Sequence, residues 1–566
     1  MSESFLPEAF AHPYDIDPHF SKSAVYFSME FAIHQSFKIY SGGLGFLAGS
    51  HMRSAADQRQ NLTGIGINWT YGYYNQSRGE NRELAVQFRR KPHSFLKSTG
   101  LRFTIDIHGN DIWVEALYLP GDTFGTVPMF FLTTDVEGNS GDARAISHRL
   151  YDADNNRRIA QYRLLGLGGA RLLEELGVDP AVYHLNEAHG LAAAFHLYSR
   201  YRKLDEVKKR LVFTTHTPEE AGNEKTDFNL LQNFHFFGHV PEEEIRRITG
   251  TEGNVFNHTL AALRMSRIAN GVSKLHGEVA RKMWESHEGI CPITHVTNAQ
   301  NKKFWVDKRL EAARVAADSE ALAARKRELK EYLFGVVADQ TSKLFDPDVL
   351  TLVWARRFAG YKRADLITRD IERFRHLVTR SEKPVQVIWA GKPYPFDYGA
   401  IELFNHLIEL TRDLPNATVL VGYELRLSRA LKYGADIWLN NPVVPREASG
   451  TSGMSAAMNA ALNLSTYDGW VCEFCDEEGK GFKEGRKDVG FIVPPPEVPD
   501  PSKLDQHDLD GIYHQIDERI APLYYDNPEA WRAMLFNSMN EVVPFFDADR
   551  MVTEYYEKIY TSPSQG

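Results

Sequence analysis

Short apolar and β-branched runs alternate with longer helical stretches in both halves of this 566-residue chain. Such alternation is typical of βαβ units, in which helices join parallel strands and cover the sheet. The pattern predicts an α/β fold with two parallel sheets, in which ligands bind where the strands end and, by default, in the cleft between two domains. The runs interpreted as strands are Ser23–Ser28, Leu62–Ile67, Val182–Leu185, Leu211–Thr215, Leu350–Trp354, Val385–Trp389, Ala417–Val421 and Ile437–Leu439.

The segment between the two halves, from Asp307 to about Leu333, is rich in Ala, Glu, Lys and Arg. Its spacing is helical, and its charges can pair three and four residues apart. We expect a solvated helix that leads into the second half.

Charge and cysteine content exclude several classes of protein. With 65 Lys and Arg against 75 Asp and Glu, the net charge is −10, so the chain lacks the basic footprint of a nucleic-acid binder. No apolar run reaches the roughly 18 residues that a membrane span needs, and the first residues do not resemble a secretory signal. The three cysteines, Cys291, Cys472 and Cys475, are too few for a disulfide framework or a zinc site. We expect a cytoplasmic protein with no metal, nucleic-acid or membrane partner.

A glycine-rich segment, Tyr40–Gly49, follows the first predicted strand and precedes a helix. Glycines at Gly42, Gly43 and Gly45 allow the backbone to approach a ligand, and the N–H groups of a following helix can face an anion. The alternative is a tight turn with close helix packing.

Two further polar clusters follow strands of the first half. Asn186, Glu187 and His189 come after one strand and can serve acid–base chemistry, or can instead cap the next helix. His216 ends the next strand, where it can bond a reacting sugar hydroxyl or be a satisfied core histidine.

In the second half, the segment Trp354–Arg363 places Arg357 and Lys362 five residues apart across a strand–helix turn. Two cations at such a turn suit a phosphate, because charge-assisted bonds and the helix dipole act together. The alternative is a solvated basic face.

The segment Asn441–Ser455 places Glu447 before a loop with many backbone donors. Such a loop can hold phosphate while the carboxylate accepts from sugar hydroxyls, and the alternative is an elaborate helix cap. The loop residues are Ser449, Gly450, Thr451, Ser452 and Gly453.

Together, these segments resemble the α-glucan (glycogen/starch) phosphorylase family of retaining hexosyltransferases, in particular its shorter bacterial branch. The likeness extends from about Ser23 to about Asp468 and includes YFSMEF, YSGGLG, HLNEAH, FTTHTPEEAGN, ARRFAGYKR, AGK and NNPVVPREASGTSGM. It implies the GT-B fold: two Rossmann-like domains facing a central cleft, with a C-terminal helix, near Pro528–Tyr560, crossing back. The expected domains are residues 1–340, 341–525 and 526–566.

The resemblance also implies roles for individual residues. The glycine turn lies by the catalytic phosphates, the His216 carbonyl faces the anomeric centre, and Glu447 binds the sugar 3-hydroxyl. The phosphate is clamped by Arg357 and Lys362. The other residues expected to contact substrate are Asn186, Glu187, His189, Asn298, Tyr361 and the loop amides from Ser449 to Gly453.

One position departs from the family. Its members have a lysine eight residues after the glutamate, where it forms a Schiff base with pyridoxal phosphate (PLP), whereas this chain has Ser455. A hydroxyl cannot form an imine, so we expect no covalent PLP. Two alternatives remain: PLP held non-covalently by Arg357, Lys362 and the loop amides, or a nucleotide ribose at Ser455, as in the Glu-x7-Glu motif of nucleotide-sugar transferases with this fold.

The favoured interpretation is a retaining transferase that moves an α-glucosyl unit from a nucleotide sugar to a hydroxyl acceptor. The alternatives are an α-glucan phosphorylase with non-covalent PLP, and an inactive protein that binds glucan or sugar phosphate. The sequence Thr297–Asn301 departs from the Thr-Asn-Gly-Val-His of this branch, so a glucan acceptor does not follow from the resemblance. Because phosphorylases often form dimers, the resemblance also suggests a homodimer.

Overall fold

The computed structural model describes residues 4–498 and 500–562 of the chain. Its strands are β1 Ala24–Phe27, β2 Leu62–Ile67, β3 Asn75–Arg78, β4 Leu84–Gln87, β5 Lys97–Ile107, β6 Asn110–Leu119, β7 Met129–Thr133, β8 Val182–Asn186, β9 Leu211–Thr214, β10 Lys225–Asp227, β11 Val255–Asn257, β12 Ile268–Gly271, β13 Ile293–His295, β14 Leu350–Ala355, β15 Val385–Ala390, β16 Ala417–Leu420, β17 Ile437–Asn440, β18 Leu462–Thr466 and β19 Gly490–Val493. All eight strands predicted from the sequence are confirmed to within about one residue at each end.

The α-helices lie between these strands and after them. They are α1 Gly43–Asp57, α2 Gly121–Phe124, α3 Gly141–Ala145, α4 Asn155–Arg163, α5 Gly169–Glu175, α6 Ala192–Tyr201, α7 Leu204–Lys208, α8 Phe228–Asn233, α9 Glu242–Thr249, α10 His258–Met265, α11 Lys274–Trp284, α12 Lys302–Trp305, α13 Lys308–Val315, α14 Ser319–Thr341, α15 Ile371–Thr379, α16 Tyr398–Thr411, α17 Leu425–Gly434, α18 Thr451–Ala457, α19 Leu504–His514, α20 Ala521–Asp526, α21 Pro528–Phe545 and α22 Ala548–Glu554. Within the described residues, no helix has the length and apolar character needed to cross a membrane.

The described chain divides into two compact units. The first comprises residues 4–74, 88–297 and 548–562, and the second comprises 75–87 and 298–547. The domain bounds expected from the sequence stay a prediction, and their terminal residues 1–3 and 563–566 lie outside the described part.

The first unit contains a nine-stranded sheet in the order β13-β12-β9-β8-β1-β2-β7-β6-β5. The strands from β13 to β7 are parallel, β6 pairs antiparallel with β7, and β5 pairs antiparallel with β6. On one side of the sheet the chain passes from β1 to β2, continues at the far edge with β5 and returns through β6 to β7; on the other side it runs outward from β8 to β13. The strand order therefore reverses between β1 and β8, where the loops after these strands form the usual ligand position of such sheets.

The second unit contains a parallel six-stranded sheet in the order β16-β15-β14-β17-β18-β19. Every residue of β14 and β15 is buried, as expected for strands covered on both faces. Here the order reverses between β14 and β17, and the two segments predicted to bind phosphate and sugar follow these two strands. Both sheets have Rossmann-like order, consistent with the two-domain GT-B fold.

The segment predicted as one linking helix is two helices, α13 and α14. The break occurs at Ala317, which has a left-handed φ of 54°. The Asp318 side chain then accepts a bond from Ala321 N and caps α14. A capping aspartate at this point favours the start of a second helix over continuation of the first.

The predicted helical return near the C-terminus consists of α21, α22 and a π-helical segment, Tyr555–Tyr560. Within the first unit, α22 packs against α1. The Phe20 and Tyr556 rings also meet edge to face, 5.1 Å apart. The end of the described chain thus belongs to the core of the first unit.

Candidate active site

The glycine turn of the first unit leads directly into α1. A Cβ atom at Gly45 would lie 2.6 Å from the Tyr40 Cβ and 2.7 Å from a Glu30 carboxylate oxygen, so packing excludes a side chain there. A Cβ atom at Gly42 or Gly43 would meet no described atom within 4 Å. The backbone at Gly42 and Gly43 is therefore accessible, whereas Gly45 is a glycine because packing leaves no room for a side chain.

Glu30, which the sequence analysis did not select, holds this turn in place. Its Oε2 accepts from Ser41 N at 2.7 Å and from Gly42 N at 3.3 Å. Its Oε1 accepts from the Tyr151 hydroxyl at 2.9 Å. Burial raises the pKa of Glu30, against the effect of these donors. In the sequence, Glu30 is marked only by its place as the acidic residue of the YFSMEF motif.

The loops after β8 and β9 join Asn186, Glu187 and His216. The Asn186 Oδ1 lies 2.7 Å from His216 Nε2, and Glu187 Oε1 accepts from His216 N at 2.5 Å. Burial lowers the pKa of His216 to about 3, so the ring is neutral. Because Asn186 Oδ1 is an acceptor, the ring donates from Nε2, and Nδ1 remains an acceptor.

Glu187 has a left-handed φ of 67°, which is uncommon for a residue with a side chain. The residue is partly exposed, yet burial of its carboxyl group raises the pKa to about 7. His189 does not join this cluster: its ring lies 5.1 Å from the Tyr162 ring, and burial lowers its pKa to about 4.

We expect Glu187→Gln to abolish the decrease of kcat/KM at acid pH. An ionised Glu187 binds the His216 N–H more strongly, so wild-type kcat/KM should fall as the pH drops through about 7. The stability effect has the opposite sign: because the pKa is raised, the contribution is fully present below pH 4.5 and is lost as the pH rises through about 7. Measuring kcat/KM from acid to alkaline pH checks this, with Glu220→Gln, an exposed neighbour, as control. An unchanged acid limb in Glu187→Gln would assign the titration to another group.

In the second unit, Glu447 lies at the centre of a buried charge cluster. Its Oε2 is 2.6 Å from Lys362 Nζ and 3.1 Å from Arg356 Nη1, and the residue is 7% exposed. Burial acts to raise the pKa of Glu447, but Lys362, Arg356 and Arg357 outweigh it and hold the pKa below its usual value. Glu447 is therefore an ionised, acceptor-only group, as expected for binding sugar hydroxyls.

The two adjacent arginines after β14 have different surroundings. Arg357, selected from the sequence, is exposed, whereas Arg356 is buried. Besides Glu447, Arg356 donates to Asn440 Oδ1 and contacts Ser452 Oγ at 3.5 Å. Sequence reasoning missed Arg356, because nothing in the doubled arginine tells which member points inward.

The other selected residues of the second unit are Tyr361, Asn298 and the loop that leads into α18. Tyr361 directly precedes Lys362, and the Lys362 Nζ is 4.8 Å from the Tyr361 ring centre. Asn298 is buried, and its Oδ1 has no hydrogen-bond partner among the described residues. In the loop, Gly450 has a φ of 89° and precedes α18. A Cβ atom at Gly453 would lie 2.6 Å from Asn463 Oδ1, so this glycine is needed for packing.

Ser455 is fully buried in α18. Its hydroxyl donates to the carbonyl oxygens of Thr451, at 3.2 Å, and Ser452, at 3.3 Å. This hydroxyl is bonded within its own helix and carries no amine. The residue present at this position therefore does not fit a covalently bound PLP.

Asp468, a third residue that the sequence analysis missed, accepts a hydrogen bond from the backbone of Glu447. Its Oδ2 accepts from Glu447 N and its Oδ1 accepts from Gly469 N, each at 2.8 Å. Burial raises the pKa of Asp468 to about 8. Asp468 therefore fixes the backbone of Glu447, the residue that Lys362 and Arg356 contact.

We expect Asp468→Asn to reduce both stability and activity. The amide replaces one acceptor with a donor, and an unsatisfied buried N–H costs about 1–3 kcal/mol. Displacing Glu447 by about 1 Å would reduce kcat/KM by up to roughly 100-fold. Since the pKa is raised, wild-type Asp468 contributes most below pH 3.8 and less as the pH rises through about 8, so the difference in unfolding midpoint should shrink towards alkaline pH. Thermal unfolding at several pH values measures this, and the exposed Asp413→Asn is the control. A pH-independent difference would mean that Asp468 does not titrate in this range.

Comparison with known proteins places this arrangement in a family. The model of the carbohydrate phosphorylase family matches residues 299–483, which include Lys362, Glu447 and Asp468. The maltodextrin phosphorylase of Thermococcus litoralis is 33% identical over 96% of this chain and 71% of its own length. The glycogen phosphorylase of Aquifex aeolicus is 30% identical over 96% and 86%. An uncharacterized protein of Methanocaldococcus jannaschii is 44% identical over 95% of this chain and its whole length.

These similarities extend over 96% of the chain rather than over one motif. The chain therefore belongs to the carbohydrate phosphorylase family.

Proposed function

We propose that this protein is a retaining hexosyltransferase that moves an α-glucosyl unit from a nucleotide-activated sugar to a hydroxyl acceptor, without covalent PLP. The observation that carries the proposal is the combination of a buried, amine-free Ser455 with an intact ionised Glu447 held by Lys362 and Arg356. The sugar- and phosphate-side charges are thus present, whereas the anchor for the family's cofactor is not.

The cations support a donor with a phosphate-bearing leaving group. Lys362 has three N–H donors and uses one on Glu447, and Arg357 adds an exposed guanidinium nearby. Charge-assisted bonds from such groups strengthen as negative charge develops on a departing phosphate. A nucleoside diphosphate leaving group fits this chemistry.

The chain's other residues have roles in orientation and charge stabilisation. Glu447 accepts from a sugar hydroxyl, and Asn298 offers a buried carbonyl oxygen to the sugar. The neutral His216 ring can accept a hydroxyl proton at Nδ1, and its backbone carbonyl would stabilise positive charge at the anomeric carbon. No described side chain in the clusters is assigned as a nucleophile, so the leaving phosphate removes the acceptor proton and attack occurs on the same face of the sugar.

A second candidate is α-glucan phosphorolysis, and the names of two relatives, a maltodextrin phosphorylase and a glycogen phosphorylase, favour it. Inorganic phosphate would then be the co-substrate, and the residues of the Glu447 cluster would serve the same sugar and phosphate contacts. PLP would have to be held without a Schiff base.

A donor assay separates these functions. UDP-, ADP- and GDP-glucose and glucose 1-phosphate are each incubated with a glucan acceptor, with and without PLP, and the α-glucoside and released nucleotide or phosphate are quantified. We expect one nucleoside diphosphate released for each α-glucoside formed. PLP-dependent exchange with glucose 1-phosphate would instead establish the second candidate, and binding of glucan without any turnover would establish an inactive binding protein.

A further inference from the structure

The outermost strand of the second sheet, β16, borders a small cavity that is lined by cations. The volume of the cavity is about 20 Å³, which is room for about one small ion. It lies within the second unit, between the β3–β4 hairpin, the segment after α14 and the α16–β16 region. None of its described lining residues is acidic, and the cations among them are Arg78, Arg82, Lys343 and Arg412. Such a lining favours an anion as the occupant.

The backbone of β16 presents one unpaired edge to this cavity. Val387 N, in the neighbouring strand, donates to the Asn416 carbonyl oxygen at 2.8 Å. Because bonding groups alternate along a strand, Ala417 and Val419 turn their N–H and C=O groups away from β15. The Val419 N–H makes no hydrogen bond to any described residue, and Val419 lines the cavity. The edge of the sheet therefore contributes one backbone donor.

Arg78, on β3, supplies a second donor at the same place. Its Nη2 donates to the Val419 carbonyl oxygen, and its Nη1 donates to the Arg82 carbonyl oxygen at 3.3 Å. Its Nε is buried and has no hydrogen-bond partner within residues 4–498 and 500–562. Leaving a buried donor without an acceptor is unfavourable. Two unsatisfied N–H groups thus belong to residues that are joined by a hydrogen bond and that both line the cavity.

Lys343 adds a fixed positive charge to the wall. Its Nζ donates to the carbonyl oxygens of Thr411 at 2.5 Å, Leu414 at 2.8 Å and Ala417 at 2.8 Å. All three N–H donors of the ammonium group are therefore used on uncharged acceptors. These bonds hold the charge in place but do not neutralise it.

The cations of this wall repel one another. Burial and the nearby Arg82 lower the pKa of Arg78 to about 10, and they lower the pKa of Lys343 to about 8. The hydrogen bonds of these three residues within the described chain all go to carbonyl oxygens. The fourth cation, Arg412, forms an ion pair with Glu409. An anion in the cavity would reduce the repulsion among the first three.

We propose that this cavity binds one chloride ion, which accepts from the Val419 N–H and the Arg78 Nε–H and lies near the charges of Arg82 and Lys343. A monatomic anion suits a space of this size and accepts hydrogen bonds from any direction. The ion contacts both the hairpin and the edge strand, so it stabilises the β3–β4 hairpin on the second sheet. This inference does not depend on the proposed transferase activity.

Chloride-35 NMR of the full chain tests the site. A chloride ion that exchanges between water and a large protein broadens the chloride resonance, and we expect this broadening to decrease as bromide is added. Sulfate at the same ionic strength should displace chloride less effectively than bromide, because the cavity has room for about one small ion. Absence of broadening would overturn the site, and displacement by sulfate as effective as that by bromide would overturn the assignment of a monatomic ion.

Matched variants locate the ion. Arg82→Glu places a carboxylate near Arg78 and Lys343, so it should weaken chloride binding by about tenfold or more. Arg375→Glu, at an exposed arginine of α15 outside the cavity, makes the same change in charge and should leave the binding unchanged.

Arg78→Met should also weaken chloride binding by about tenfold, because it removes one donor and one charge. If Arg78→Met fails to fold, Arg82→Glu retains the test, since Arg82 is exposed. Wild-type broadening in a folded Arg82→Glu protein would place the ion elsewhere and overturn the assignment.

Discussion

Arg357→Ala is expected to reduce turnover by at least about a hundredfold while leaving the unfolding midpoint unchanged. Removing one preorganised charge that stabilises a developing oxyanion costs about 10²–10³ in rate, and arginines that stabilise phosphoryl charge contribute up to about 10⁵. Arg357 is exposed, so truncating it disturbs no packed core. Initial rates with the active donor and a thermal melt measure the two effects.

The neighbouring arginine provides a contrasting variant. Arg356→Ala removes a buried partner of Glu447 and should cost about 3–5 kcal/mol of stability in addition to activity. Arg375→Ala, an exposed arginine of the same unit, is the control for loss of one charge. Wild-type turnover in Arg357→Ala would remove this residue from the proposed chemistry and assign the phosphate contact to Arg356 and Lys362.

The difference between these arginines illustrates what sequence patterns could predict here. Parallel strands such as Leu350–Ala355 are buried on both faces and therefore appear as continuous apolar runs, which sequence reasoning identified. The edge strand Lys97–Ile107 has exposed and buried positions intermixed, so it gave no such run and was missed.

The candidate site residues divide in the same way, into those that sequence patterns identified and those that they missed. Glu447 and His216 stand out because they are polar residues immediately after strands, where α/β folds bind ligands. Glu30 and Asp468 act through hydrogen bonds to the backbone of residues 11–12 and 21 positions away. These contacts depend on how loops fold back, and no local spacing encodes them. For this reason candidate site residues that follow strands could be proposed from the sequence, whereas the residues that hold them in place required the structure.

Ser455→Lys is expected to create a position at which PLP binds covalently. An amine buried in α18 would be held largely uncharged, which makes it a nucleophile for an aldehyde. Wild-type Ser455 cannot react in this way, because it has a hydroxyl group instead of an amine and cannot form an imine. Incubation with PLP, borohydride reduction and peptide mass spectrometry would locate the label.

The matched variant Ser455→Met distinguishes the effect of the amine from the effect of a larger side chain. Both substitutions enlarge a fully buried residue, so both should lower the unfolding midpoint, but only the lysine should be labelled at position 455. A folded Ser455→Lys protein without label would mean that the space for the pyridine ring has been lost together with the lysine, which would count against the phosphorylase alternative. Label together with new phosphorolysis would instead show that one substitution separates this chain from the chemistry of its named relatives.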